Sequence, residues 1–139
     1  MAAQGDPKLS ACKKVKNLTF ILLLLFSTTC WGEWTKVAEG KGADHYIDFE
    51  SIKKRGASVY YWRLADRLKP GTEGDMSGIS YLEGDCEKFR MKFLKMTVYR
   101  DSMGTGESDP MPESSLSRNW MYPHPDSSDE WILKAACGQ

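Results

Sequence analysis

The chain's two histidines are its candidate bases for chemistry at neutral pH, and neither lies in a catalytic pattern. His45 falls in a predicted strand near Asp48, and His124 stands between Pro123 and Pro125, where the backbone is extended. Acyl-transfer chemistry would also need a Ser or Cys nucleophile held beside the base by a triad or an elbow, and neither histidine has such a motif. The sequence therefore predicts no catalytic residue, no enzyme and no cofactor.

Paired carboxylates are the other candidates for chemistry. Asp48 with Glu50, and Glu83 with Asp85, are spaced i, i+2 in predicted strands, so each pair shares one strand face. Such a pair usually marks a solvated face, and a cation site would need further ligands from elsewhere. We therefore predict no metal site.

A row of cations is the more interesting feature. Lys88, Arg90 and Lys92 alternate along a predicted strand and so share one face; we call them the basic row. Residues 53–55 form a second basic cluster. Such a row can bind sulfated sugars or other anionic partners. The alternative is a solubilising surface that discourages aggregation between strand edges.

Several aromatic side chains could line a ligand pocket. Core packing is the default interpretation in a domain of this size. The residues concerned are Trp34, Trp62, Tyr81, Trp120 and Trp131.

Charge is distributed unevenly although the formal net charge of the 139 residues is +0. Residues 1–32 carry four lysines and one aspartate, a net of +3, which leaves −3 for the remainder. A mildly acidic body has no global field that would favour nucleic acid, so we expect no nucleic-acid partner.

The basic N-terminal part has the organisation of an export signal. Lys13, Lys14 and Lys16 form a positive region, residues 18–26 are apolar, and mostly small residues follow up to Gly32. The apolar run is shorter than the roughly 20 residues that span a bilayer, which favours a cleaved signal over an uncleaved anchor. We therefore predict a signal peptide over residues 1–32 and one exported domain over residues 33–139, in the periplasm or at the cell surface.

An alternative assigns Cys30 as the lipidated first residue of a lipoprotein, the one route by which we expect membrane attachment. Residues 27–29 are Ser-Thr-Thr, a poor version of the Leu-Ala-Gly type of sequence that precedes a lipidated cysteine. Cleavage after Gly32 would instead remove Cys12 and Cys30.

Under cleavage after Gly32 two cysteines remain, Cys86 and Cys137, in a chain bound for an oxidising compartment. We predict that they form a disulfide. A reactive or metal-binding thiol pair is the alternative, but the cysteines lack Cys-x-x-Cys spacing and histidine is scarce.

Alternating and β-branched residues predict strands over residues 33–38, 45–49, 57–67 and 79–83, with Trp62 and Leu64 pointing into the core. Polar or Gly-rich residues predict a tight connection over 51–56 and loops over 68–78 and 107–119. Residues 85–100 read as one long strand headed by Cys86. Its alternation breaks near Phe93 and Leu94, which predicts a β-bulge or a bend.

A helix is predicted at the C-terminus. Ser127 and Glu130 fit a capping box, Gly138 is placed to end the helix, and Trp131 and Ile132 begin an apolar stripe that continues at residues 135 and 136. Cys137 would lie in the last turn. Strands followed by one terminal helix indicate an α+β fold, a small twisted antiparallel sheet with the helix packed on it.

Taken in order, the exported residues resemble the surface-adhesin protein E family of Gram-negative envelope proteins. The pattern spans about residues 33–138. It consists of Trp34, the motif at 45–48 with Ser51 and Ile52, the turn at Arg55 and Gly56, Trp62 and Leu64, Asp85 and Cys86, Tyr99 before the turn at 104–106, Trp120, Pro125 and Ser127, and Cys137.

This resemblance implies a non-enzymatic role at the cell envelope. It further implies an adhesin-type module that binds protein or matrix ligands and that can form a homodimer. Together with the basic row, it leads us to expect a protein or glycan ligand at the envelope. A soluble periplasmic protein with a structural, stress or accessory role is the alternative. A hydrolase is less well supported, because no nucleophile and base are paired.

Overall fold

The structure is a computed structural model that describes residues 33–138. The predicted signal peptide over residues 1–32, and with it the lipidation of Cys30, lies outside the described residues. Within the described part, no helix is long and apolar enough to cross a membrane.

Seven antiparallel strands form one sheet in the described part of the chain. The spatial order is β1-β2-β4-β5-β6-β7, and β3 also pairs with β4. The strands are β1 (Trp34–Glu39), β2 (Ala43–Asp48), β3 (Lys53–Arg55), β4 (Ser58–Arg67), β5 (Ser77–Asp85), β6 (Arg90–Tyr99) and β7 (Ser108–Pro110), and one helix follows, α1 (Ser128–Cys137). This confirms the predicted α+β class with a C-terminal helix on a sheet.

Strand β4 is long enough to take two successive partners on one edge. Its C-terminal half pairs with β2, from Ile47↔Arg63 to Ala43↔Arg67, and its N-terminal end pairs with β3. The predicted tight connection over 51–56 is therefore wrong in part, because its middle forms a short strand. Gly56 has a φ of 60°, which suits glycine, and lets the chain turn directly from β3 into β4.

The prediction of one strand over residues 85–100 is wrong at its N-terminal end. Asp85 ends β5, residues 86–89 turn the chain, and β6 begins at Arg90. Phe89 has a φ of 48° in this turn, so Cys86 lies in a turn and not on the strand. The predicted bulge is confirmed: Tyr81 pairs with Lys95 and Leu82 pairs with Phe93, which leaves Leu94 as the extra residue.

The predicted loop over 107–119 contains the short strand β7, which pairs with β6 from Tyr99↔Ser108 to Thr97↔Pro110. Further along, Met121 exchanges backbone hydrogen bonds with Met91, at 2.9 and 2.8 Å. The segment that leads to α1 thus runs beside the start of β6, and it brings Trp120 next to that strand.

Helix α1 begins as predicted, with a small difference. The Glu130 N–H donates to the Ser127 hydroxyl at 3.2 Å, but the Glu130 carboxylate accepts from the Asp126 N–H and not from the cap residue itself. The helix buries Ile132, Leu133 and Ala136. Trp131, predicted for the apolar stripe, is 52% exposed.

The core lies between α1 and one face of the sheet. Its fully buried members include Tyr61, whose hydroxyl donates to the Met91 sulfur at 3.7 Å. Gly84 lies under the helix, since a Cβ there would meet Leu133 Cδ1 at 2.7 Å. The absence of a side chain at this position is what lets α1 pack closely on β5.

The predicted disulfide is present between Cys86 and Cys137, with the two Cα atoms 5.8 Å apart. It joins the β5–β6 turn to the last turn of α1. The ion pair between Arg63 and Asp129 joins the sheet to the first turn of the same helix. Both ends of α1 are therefore tied to the sheet.

Candidate binding surface

The two faces of the sheet are covered differently. Val59, Tyr61 and Gly84 lie on the face that α1 covers. Their neighbours along each strand point the other way, because side chains alternate across a strand. We call this second face, which α1 does not cover, the open face.

One end of the open face has its own cover. The short 3-10 helix Ser102–Gly104 lies over Leu64 and Ile79, both of which are buried. Gly104 has a φ of 68°, and a Cβ there would meet Ile79 Cδ1 at 2.6 Å. Glycine is therefore required at this contact for both conformation and space.

Three aromatic residues occupy the middle of the open face, and we call them the aromatic strip. Trp62 and Tyr81 are cross-strand partners with ring centroids 4.8 Å apart, and Tyr60 lies 6.3 Å from Tyr81. All three are half-buried. Burial raises the pKa of the Tyr81 hydroxyl above its usual value.

The basic row lies at the other end of the open face, but its members differ. Lys88 is in the turn before β6 and is exposed. Arg90 and Lys92 lie on β6 opposite the carboxylates that precede them in sequence, with Arg90 Nε 3.1 Å from Asp85 and Lys92 Nζ 3.0 Å from Glu83. The predicted acidic pair on β5 therefore neutralises the two strand cations.

Trp120 completes this arrangement. Its ring centroid is 4.2 Å from the Arg90 guanidinium carbon and 4.5 Å from Lys92 Nζ. The Lys88 N–H and the Arg90 guanidinium, both donating to Asp85, hold the pKa of that carboxyl below its usual value. At this end of the open face, the charges of Arg90 and Lys92 are paired within the protein, by ion pairs to Asp85 and Glu83 and by cation–π contacts with Trp120.

Other cations surround the aromatic strip itself. Lys53 pairs with Tyr60 across β3 and β4, the Arg55 guanidinium carbon is 5.7 Å from the Tyr60 ring centroid, and Lys95 pairs with Tyr81 across β6 and β5. We call Lys53, Arg55 and Lys95 the strip cations. All are exposed, and none forms an ion pair within residues 33–138.

The sequence identified part of this surface. It singled out residues 53–55 and placed Tyr60 and Trp62 on one strand face, but it assigned Trp62 to the core. It missed Lys95, because the bulge at Leu94 shifts that lysine onto the open face beside Tyr81. No local pattern indicates which residue a bulge leaves out, so the register was needed to place Lys95.

Neither histidine is placed to act as a catalytic base. His45 is buried, and its Nδ1 accepts a hydrogen bond from Arg63 at 3.2 Å. Burial and the neighbouring guanidinium lower the pKa of His45 to about 4. His124 is exposed near the start of α1. Among residues 33–138, no group of three or more His, Cys, Asp or Glu side chains could hold a metal ion.

The remaining aromatic candidates are separate from one another. Trp131 lines a shallow groove of about 420 Å³ between β1 and the start of α1. Trp34 is half-buried on β1, the strand at the far edge of the sheet from β6. The structure does not bring the five candidate aromatics into one pocket.

The fold defines a class of protein: a disulfide-linked α+β domain with one sheet face covered by a helix and the other face, which carries the aromatic strip, left uncovered by that helix. A family model for surface-adhesin protein E matches residues 34–138. The chain belongs to this family, as the resemblance in sequence had indicated. Membership supports an adhesin-type protein of the cell envelope.

Solved structures share the fold. One crystal form of Haemophilus influenzae protein E superimposes with a TM-score of 0.55 at 15% identity, and the match covers 73% of this chain and 91% of that chain. Another structure of the same protein gives a TM-score of 0.53 at 17% identity, covering 76% of this chain and 93% of that one. A search of curated proteins gave no match.

Proposed function

We propose that this protein is an exported, non-enzymatic adhesin-type module that binds its ligand through the open face of the sheet. The observation that carries this proposal is the half-exposed aromatic strip, which α1 leaves uncovered and which exposed cations surround. Membership of the surface-adhesin protein E family supports an adhesin-type protein, and the open face is the surface that suits ligand binding.

Aromatic residues on a rigid sheet suit a binding role. Their rings offer a large contact area at a low cost in conformational entropy, and Trp, Tyr and Arg carry much of the energy of protein interfaces. Strands β4 and β5 hold the strip through a continuous register from Ser58↔Asp85 to Asp66↔Ser77. A ligand would therefore meet a surface that is already in place.

The absence of enzymatic activity is part of the proposal. The best-placed base, His45, is engaged by Arg63 and lies on a different strand from the aromatic strip. No described side chain near the strip combines a nucleophile with a neutral-pH base. The chemistry available at the open face is stacking, hydrogen bonding and charge pairing.

Adhesion can be tested by expressing the full chain in a non-adherent Gram-negative host and measuring attachment to surfaces coated with extracellular matrix. Trp62→Ala and Tyr81→Ala should each reduce attachment severalfold, because they remove rings of the aromatic strip. Tyr122→Ala is the matched control, since Tyr122 is 63% exposed and lies outside the strip. Full attachment by folded Trp62→Ala and Tyr81→Ala variants would contradict the proposed surface.

The place of the protein in the envelope needs a separate test. We propose export by the segment over residues 1–32 and display at the cell surface, with attachment to the membrane by lipidation of Cys30; cleavage after Gly32 would instead remove this attachment. Protease added to intact cells should then degrade the domain. Protection from the protease, together with release by osmotic shock, would identify a soluble periplasmic protein instead. Mass spectrometry of the mature N-terminus distinguishes Glu33 from a lipidated Cys30.

A further inference from the structure

We infer that the ligand of the open face is an acidic polysaccharide, whose sugar rings pack on the aromatic strip while its anionic groups contact the strip cations. This inference rests on the proposed function, and it adds the chemical class of the ligand and the residues that recognise it. The cations of the open face differ in whether they are available to a ligand.

The cations predicted from sequence are largely occupied. The side chains of Arg90 and Lys92 are 19% and 25% exposed, and each has a carboxylate partner as well as the Trp120 ring. An anionic ligand would have to displace Asp85 and Glu83 to reach them. Within the basic row, only Lys88 has an exposed side chain without an ion pair in the described part of the chain.

The strip cations have no carboxylate partner in the described residues, although Arg55 also contacts the Tyr60 ring. Lys53 and Arg55 lie on β3 at one side of the strip, and Lys95 lies on β6 at the other side. Three strand spacings separate β3 from β6, so the two strands that carry these cations lie about 14 Å apart across the sheet. This distance is longer than one sugar ring, which favours a polymer with repeated charges over a single small anion.

The rings between these charges favour a sugar over another acidic polymer. The faces of Tyr60, Trp62 and Tyr81 carry the negative side of the aromatic quadrupole, which attracts the polarised C–H groups on the face of a pyranose ring. An acidic polypeptide would pair with the strip cations equally well, but it would gain less binding energy from the aromatic strip because it has no pyranose rings to pack there. Charges on both sides of stacked aromatics therefore match an anionic glycan.

The test uses the full chain, recovered from an export-competent host, with heparin as the probe and titration at low salt. Lys53→Ala/Arg55→Ala/Lys95→Ala should weaken heparin binding about tenfold or more, the sum of three modest charge contacts. Lys41→Ala/Lys54→Ala/Lys69→Ala removes the same charge from exposed positions outside the open face and should leave binding within about twofold. Trp62→Leu should weaken heparin binding severalfold while keeping an apolar side chain. Thermal unfolding confirms that each variant is folded.

Two further probes and one further variant decide the ligand class. Dextran, which is neutral, should bind far more weakly than heparin, and poly-glutamate should bind more weakly and be insensitive to Trp62→Leu. Equal binding of poly-glutamate and heparin would overturn the glycan assignment. Loss of heparin binding only in Lys88→Ala/Arg90→Ala/Lys92→Ala would overturn the choice of cations.

The same variants separate this inference from the proposed function. If Trp62→Ala abolishes attachment to matrix but the protein does not bind heparin, the open face is the binding surface and the ligand class is wrong. If the protein binds heparin through the strip cations but folded Trp62→Ala and Tyr81→Ala variants attach normally, the glycan site is real and the adhesin role of this face is wrong.

Discussion

Arg63 Nη1 donates to Asp129 Oδ1 at 2.7 Å, which joins the middle of β4 to the first turn of α1. The side chain of Arg63 is only 11% exposed, whereas that of Asp129 is 42% exposed. A second guanidinium nitrogen donates to His45 on β2. One arginine therefore connects two neighbouring strands and the helix that covers them.

Asp129→Asn should lower the free energy of unfolding by about 1 kcal/mol, because it removes one charge of a half-exposed pair and a carboxylate from the positive end of a helix. Urea unfolding measures the change. Asp109→Asn is the control, since Asp109 is exposed on β7 without an ion pair in the described residues, and it should change stability by less than about 0.5 kcal/mol. A double-mutant cycle of Asp129→Asn with Arg63→Met would give no coupling free energy if the ion pair did not contribute to stability.

His45 makes stability depend on pH. Its pKa in the folded protein, about 4, lies below the ordinary value of 6.5, because burial and Arg63 disfavour the imidazolium. Between these values the unfolded chain binds the proton and the folded protein does not. The contribution of His45 to the free energy of unfolding is therefore fully present above pH 6.5 and is lost as the pH falls towards 4. The expected loss is on the order of 1–2 kcal/mol.

His45→Asn isolates this effect. The asparagine carbonyl oxygen can accept from Arg63 in place of Nδ1, but it does not titrate in this range. The free energy of unfolding, measured from pH 7 to pH 4, should fall more steeply for the wild type than for the variant. Parallel curves would show that another group causes the acid sensitivity.

The fold was largely predictable because its strong signals are local. Ser127 and Glu130 define the start of the helix. Once the predicted signal peptide is excluded, Cys86 and Cys137 are the two cysteines that remain, so one disulfide pairing is possible. The turn at residues 86–89 was missed because alternation runs through it unbroken: Phe89, Met91 and Phe93 read as one strand face. A non-glycine residue with positive φ, as at Phe89, has no sequence signal of its own.

The position of the core was harder to predict for a different reason. Strand β4 is apolar on both faces, since α1 buries Tyr61 on one and the 3-10 helix at 102–104 buries Leu64 on the other. Periodicity identifies the two faces but not which of them a distant helix will cover. The sequence therefore placed Trp62 in the core when it belongs to the half-exposed strip.

Gly84→Ala should destabilise the protein by about 1–3 kcal/mol, because the new methyl group would meet Leu133 Cδ1 at 2.7 Å and Val59 Cγ2 at 3.0 Å in a packed core. Gly42→Ala is the matched control. A Cβ at Gly42 meets nothing within 4 Å, and no change beyond about 0.5 kcal/mol is expected. Thermal unfolding compares the two variants directly. A stable Gly84→Ala protein would mean that α1 does not pack closely on β5.

Of these changes, loss of the disulfide should lower the free energy of unfolding the most. Cys86 and Cys137 are 51 residues apart, so the closed loop contributes about 4 kcal/mol by restricting the unfolded chain. A Cys86→Ser/Cys137→Ser variant should therefore unfold at a much lower urea concentration, while Ile132, Leu133 and Ala136 still hold α1 on the sheet at low denaturant. Wild-type protein in reductant should show the same shift, which separates loss of the bond from the serine substitutions. A shift of less than about 1 kcal/mol in both would mean that core packing alone fixes the helix.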